Sequence, residues 1–181
     1  MRVSRVPAVL LTVALGACGS DTPAPTAISR LAVGADRAST ASPVTRPFSG
    51  KCEVTFNPPP FPLPPVFEQT DVGTCHFTEL GVTAFYGVQT INFAAGTQSG
   101  WRTFTAANGD VLRVEHTGTS GPSGPGLVSF RATSNVVGGT GRFANATGHL
   151  SISGVANLIT HVTVSTFEGS ISYNASARSE R

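Results

Sequence analysis

QSGWRTFTAANGDVLRVEHTG, residues 98–118, is the stretch from which the fold is read. Two runs rich in Thr, Val, Phe and Trp, residue types suited to a pleated surface, flank Ala107-Asn108-Gly109-Asp110. Asn-Gly accepts the positive backbone angles of a tight hairpin turn, so residues 98–106 and 111–118 are predicted to pair antiparallel. Within the second run Leu112, Val114 and His116 share one face, and Arg113 and Glu115 share the other.

The same period of two extends outward in both directions. Lys51 to Phe56 alternates, with Cys52, Val54 and Phe56 on one face. Further strands are expected at residues 73–80, 82–93, 127–136, 148–158 and 161–173, with a tight turn near Gly81. The block FNPPPFPLPPVF, residues 56–67, holds too many prolines for a central strand, and GTSGPSGPG, residues 118–126, separates the fifth strand from the sixth. No stretch carries a convincing helical period. Roughly eight strands joined by short turns predict an all-β antiparallel meander. Closing such a sheet removes its exposed edges, and eight strands suit a small closed barrel. A two-sheet sandwich is the alternative.

The start of the chain has a different character. Arg2 and Arg5 precede an uncharged run from Val6 to Ala17, which is too short to span a ~30 Å hydrocarbon core but matches the apolar region of a signal peptide. Leu15-Gly16-Ala17-Cys18 resembles the lipobox of bacterial lipoproteins, which implies cleavage before Cys18 and lipidation of its thiol. An ordinary secretory signal cut near Ala17 is the alternative. Gly19 follows, not the aspartate that retains lipoproteins in the inner membrane, so the resemblance implies anchoring in the outer membrane. Residues 19–47, dense in Ser, Thr, Ala and Pro, read as a tether. The expected organisation is a signal peptide at 1–17, a lipidated tether at 18–47, a barrel at 48–175 and a short tail at 176–181.

Composition narrows the partners. The 181-residue chain holds 12 Lys and Arg against 10 Asp and Glu, and loss of Arg2 and Arg5 balances the two signs. Lys51 is the only lysine and no basic run exists, so nothing would track a phosphate backbone and nucleic acid is dismissed as a partner. Of the three cysteines, Cys18 is assigned to lipid. Cys52 and Cys75 are then read as a disulfide, as suits an exported chain, with a metal site or a reactive thiol as alternatives.

The segment Val137-Gly138-Gly139-Thr140-Gly141-Arg142-Phe143-Ala144-Asn145-Ala146-Thr147-Gly148 is more specific than its neighbours. Its skeleton resembles the signature of the allene oxide cyclase–dirigent β-barrel superfamily. The FTAANGD hairpin and the closing pattern Phe167 to Tyr173 are compatible with it. The resemblance spans about residues 48–175 and implies a closed barrel. Phe143 and Ala146 would then tuck into a barrel end, and Gly148 would begin the returning strand. Plant members isomerise a fatty-acid epoxide or steer radical coupling, but their active-site residues do not map onto positions here, so no activity carries over.

Candidate chemistry is sparse. His76, His116, His149 and His161 fall in no zinc-binding spacing, and no P-loop or nucleophile elbow is present, so neither metal nor cofactor is expected. The sharpest catalytic arrangement would turn Arg113, Glu115, Arg131 and Glu168 into the barrel as an acid–base and anion-orienting cluster. Charges at alternating strand positions more often face water, and His116, on the apolar face, reads first as an interior histidine. Trp101 and most phenylalanines are expected in the core, with Phe61 and Phe67 exposed beside a proline-rich loop. That loop is either a rigid lid at the barrel mouth or a polyproline ligand for a partner. The sequons at Asn145 and Asn174 fit chance. The function expected is binding of a small apolar ligand or an envelope protein by a membrane-anchored barrel. A cyclase or isomerase acting inside the barrel, and an adhesion or assembly module using the proline-rich loop, are the alternatives.

Overall fold

The structure, a computed structural model, describes residues 43–174. The expected signal peptide, Cys18, nearly all of the tether and the C-terminal tail lie outside the described residues.

Eight strands run in order: β1 (Val44–Phe56), β2 (Val66–Phe77), β3 (Gly81–Asn92), β4 (Thr97–Ala106), β5 (Val111–Gly124), β6 (Leu127–Gly139), β7 (Thr147–Asn157) and β8 (Val162–Tyr173). Each pairs antiparallel with its neighbours, and β1 pairs with β8 to close the barrel. The sandwich alternative is thereby set aside. The one helical element among the described residues is a single 3-10 turn at Gly141–Phe143.

Three boundaries differ most from expectation. The closing strand β1 starts at Val44, inside the stretch read as tether, and pairs there with the end of β8. Its first four side chains are exposed and show no alternation, so only the backbone pairing marks them as strand. β2 starts at Val66, directly after the prolines. β5 continues through Gly118 to Gly124, because a hairpin ladder needs only backbone groups and Pro122 sits at a register irregularity beside the turn.

Antiparallel order puts the β1–β2, β3–β4, β5–β6 and β7–β8 connections at one end, here called apical. The remaining turns and both ends of the described chain lie at the other, basal end. The basal half is filled with aromatic rings. Phe77 stacks on Phe48 at 4.6 Å and meets Phe104 and Phe167 edge-on at 4.9 and 5.5 Å. These buried rings contribute roughly 1.5–3 kcal/mol each relative to exposure.

The GGTG turn seals this end. The amide of Thr140 donates to the Val111 carbonyl at 2.8 Å, and the Val111 amide donates to Thr140 Oγ1 at 3.0 Å. Gly141 takes φ +55° against the Asp110 carboxylate, where a Cβ has no room, and Gly138 takes φ +100° at a bulge opposite β5. Phe143 is fully buried against Tyr173, Ala146 is buried, and Gly148 is the second residue of β7, as expected. Arg142 lies over both rings and pairs with Asp110 at 3.7 Å.

Cys52 and Cys75 face each other across β1 and β2 and form a disulfide, both buried, while His76 points outward. That arrangement disposes of the metal and reactive-thiol readings. The 23-residue separation makes the link worth about 3 kcal/mol in the chain-entropy model. The Cys52→Ala/Cys75→Ala protein is therefore expected to unfold at lower urea, with about 3 kcal/mol less stability. An unchanged midpoint would mean that the bond adds nothing to the closed sheet.

Candidate functional site

Strand alternation decides which charges enter the barrel, and it puts the four candidate charges on the side that their alternation favoured. Arg113, Glu115, Arg131 and Glu168 are all exposed on the outer wall, so the interior acid–base cluster does not form. Each is one residue out of step with the buried side chains beside it. Arg131 and Glu168 do line a common trough on the outside of β5–β8, among Thr117, Thr133 and Ser151, but neither joins an ion pair. Trp101 is likewise on the outer wall, beneath the Arg113 guanidinium at 5.3 Å, and not in the core. Phe61 is 99% exposed as expected, whereas Phe67 is interior.

His116 is interior, and it has company that was not anticipated. Gln69, Asp71, Gln89, Gln98 and Arg102 are all buried inside the barrel. The signal for them was parity. Asp71 lies four residues before Cys75, and Arg102 two before Phe104, so each shares the inward face of its strand. Two glycines make the room. Gly87 is the β3 residue opposite Arg102, and a Cβ there would press on the Arg102 Cγ at 3.2 Å. Gly100 occupies the β4 position between Gln89 and His116.

Hydrogen bonds order these side chains into one network. Gln69 Nε2 donates to Asp71 Oδ1 at 2.8 Å, and Gln89 Nε2 donates to Asp71 Oδ2 at 3.0 Å. Gln89 Oε1 accepts from Arg102 Nη2 at 3.5 Å and faces His116 Nε2 at 3.3 Å. Because the Gln89 oxygen must accept, His116 carries its proton on Nε2. A carboxylate and a guanidinium are thus joined through one amide.

Burial shifts each ionisable member. Desolvation raises the Asp71 pKa, against the hydrogen bond from Gln69 and the charge of Arg102. Desolvation lowers Arg102 to about 10, so it remains a cation at neutral pH. His116 is pushed down to about 3 by burial and by the nearby Arg102 charge, and is neutral.

The network is left short of partners on one side. Among the described residues, Arg102 Nη1 and Gln98 Nε2 are buried donors that find no hydrogen-bond partner, and His116 Nδ1 and Ser134 Oγ are also unmatched. A guanidinium has five N–H donors, and an unmatched buried polar group costs about 1–3 kcal/mol, more if charged. An interior selected for stability alone would fill with apolar side chains instead.

Above the network is a cavity of about 70 Å³. One water needs roughly 10–15 Å³ on the same measure, so the space holds more than a single solvent molecule. Gln69, Asp71, Gln89 and Arg102 form its floor, and Phe67, Phe85, Phe130 and Val128 contribute an apolar wall. Pro59 and Leu63 of the proline-rich loop, with Phe93, lie at its apical edge. The loop therefore sits at the barrel mouth, as the lid reading anticipated. Among the described residues no cluster of His, Cys, Asp and Glu is suited to a metal ion.

Comparison with family models, with curated proteins and with solved structures finds no match to this chain.

The buried His116 gives the site a pH signature. Its folded pKa of about 3 lies below the unfolded value of 6.5, so the unfolded chain binds the extra proton between them and stability falls as pH drops through that window. Relative to His116→Gln, the unmodified protein is expected to lose about 1.4 kcal/mol per pH unit below 6.5. Denaturation curves at pH 7, 5.5 and 4.5 measure the difference. Parallel pH profiles would show that His116 is not held neutral.

Proposed function

We propose that this chain is an exported, lipid-anchored binding protein whose barrel holds a small, largely apolar molecule by a hydrogen-bond-accepting oxygen. The observation that carries the reading is the pair of unpartnered buried donors, Arg102 Nη1 and Gln98 Nε2, on two residues that line an apolar-walled cavity. Two unmatched donors on residues that line one cavity ask for an acceptor, and apolar walls reject a molecule that is polar throughout. A carbonyl or carboxylate head on a short hydrocarbon body meets both demands. An ammonium head does not, because it brings more donors and a second positive charge beside Arg102.

Six-carbon probes separate these heads. Hexanamide and hexanoate, titrated into methyl-labelled protein and followed by NMR, are expected to shift signals of Val128, Leu158 and Ile91, which line the cavity. Hexylamine is expected to leave them unmoved. Arg102→Met keeps an unbranched, flexible stem in the interior and removes the charged donors, and is expected to weaken hexanamide binding about ten-fold, the worth of one good hydrogen bond to a charged group. Equal response to all three heads, or none, would contradict the reading.

Anchoring rests on the Leu15-Gly16-Ala17-Cys18 pattern. In cells that process lipoproteins and are fed radiolabelled palmitate, the protein is expected to take up the label and Cys18→Ser is expected to abolish the uptake. Equal labelling of the two, or none of either, would argue against the lipid.

A further inference from the structure

The distribution of charge along the barrel axis points to a surface separate from the cavity. Every Asp, Glu, Lys and Arg of the described residues lies within 43–56, 68–88, 102–115, 131–153 or 168–174. The four apical segments, residues 57–67, 89–101, 116–130 and 154–167, contain none. These segments are the apical connections together with the strand ends that lead into them. They also carry the two most exposed large apolar side chains of the described residues, Phe61 and Ile159, while Val72, Val82 and Val137 stand half-exposed elsewhere on the wall. Phe61 is 99% exposed, Ile159 76%, Val66 49% and Leu63 47%.

These tips are tied to one another. The Phe93 amide donates to the Pro65 carbonyl, joining the first two apical loops, and the Leu158 amide donates to Gly126, joining the other two, both at 2.8 Å. Ser120 N donates to the Gly96 carbonyl at 2.9 Å and links the pairs. Prolines restrict the longest loop, which bends at Phe61 and Pro62, and they lack the amide protons that would otherwise need water. The result is an uncharged, apolar, cross-braced rim.

We infer that this apical rim docks onto a lipid bilayer, with Phe61 and Ile159 entering the acyl boundary. A bilayer interface accepts aromatic and aliphatic tips and rejects charge, and an uncharged rim needs no anionic headgroups. Chain length permits it. Residues 18–43 reach at most about 90 Å if extended, against a barrel height of about 30 Å, so a domain tethered by its basal end can still turn its mouth to the membrane. The cavity opens beneath the same rim, between Pro59, Leu63 and Phe93. An apolar molecule would then enter from lipid without crossing water.

The test places single spin labels on the full chain carrying Cys18→Ser, at Phe61→Cys, at Ile159→Cys and, as a basal control, at Ala107→Cys. All three positions are exposed, so the fold tolerates the labels. With phosphatidylcholine vesicles, labels at 61 and 159 are expected to lose accessibility to a water-soluble nickel chelate and gain it to oxygen, while the label at 107 stays in water. Raised salt is expected to leave this unchanged. Adding Phe61→Asp is expected to return the label at 159 to water. Attachment by the apolar leader alone would leave both rim labels in water and overturn the proposal. So would protection of the rim labels without vesicles, which would assign the rim to a second copy of the chain. Neither result depends on what the cavity binds.

Discussion

Pairing of β1 with β8 along twelve residues is the interaction on which the rest of the structure depends. A sheet with free edges can let a polar residue of inward parity slip to the outside by shifting register. A closed sheet cannot, because each strand is held from both sides. Once the ring is closed, every second residue of every strand is committed to a narrow interior. That commitment packs Phe77, Phe104 and Phe167 against one another, and it equally forces Asp71, Arg102 and His116 inside. Their burial follows from register, and the hydrogen-bond network is how the fold tolerates it.

The interior is divided along its axis. The basal half is a dry aromatic stack, capped by Phe143 and by the polar cluster of Arg142, Asp110, Tyr173 and Glu79. The apical half mixes rings such as Phe67 and Phe130 with the long amides of Gln69, Gln89 and Gln98. Gly87 and Gly100 trade packing for the space that Arg102, Gln89 and His116 occupy. One half supplies the stability that the other half spends on unmatched donors. The outer surface repeats the division, charged toward the base and uncharged at the mouth.

Much of this was legible in the sequence, for identifiable reasons. Strand number, the Asn108-Gly109 hairpin, the closed barrel and the Cys52–Cys75 bond follow from local alternation, turn chemistry and cysteine arithmetic. The sealing role of Thr140 to Gly148 was readable because glycines at a strand corner have few other uses. The floor of the cavity is not legible locally, because a polar residue on a strand ordinarily faces water and nothing beside Asp71 or Arg102 marks it as an exception. Trp101 is the converse case: its size suggests the core, while its parity puts it outside with Arg113. Which inward residues meet across strands depends on the stagger of the whole barrel. That is why Asp71, Gln89 and Arg102, far apart in sequence, became a unit only in three dimensions.

The central claim is that the cavity above Arg102 is a binding site and not a packing defect. The most direct measurement is the anomalous scattering of bromine in crystals grown with 6-bromohexanamide. The account predicts one bromine peak inside the apical half, near Phe67, Val128 and Phe130, with the amide oxygen within hydrogen-bond distance of Arg102 Nη1. A peak in the outer trough between Arg131 and Glu168, or no peak within the barrel, would contradict it.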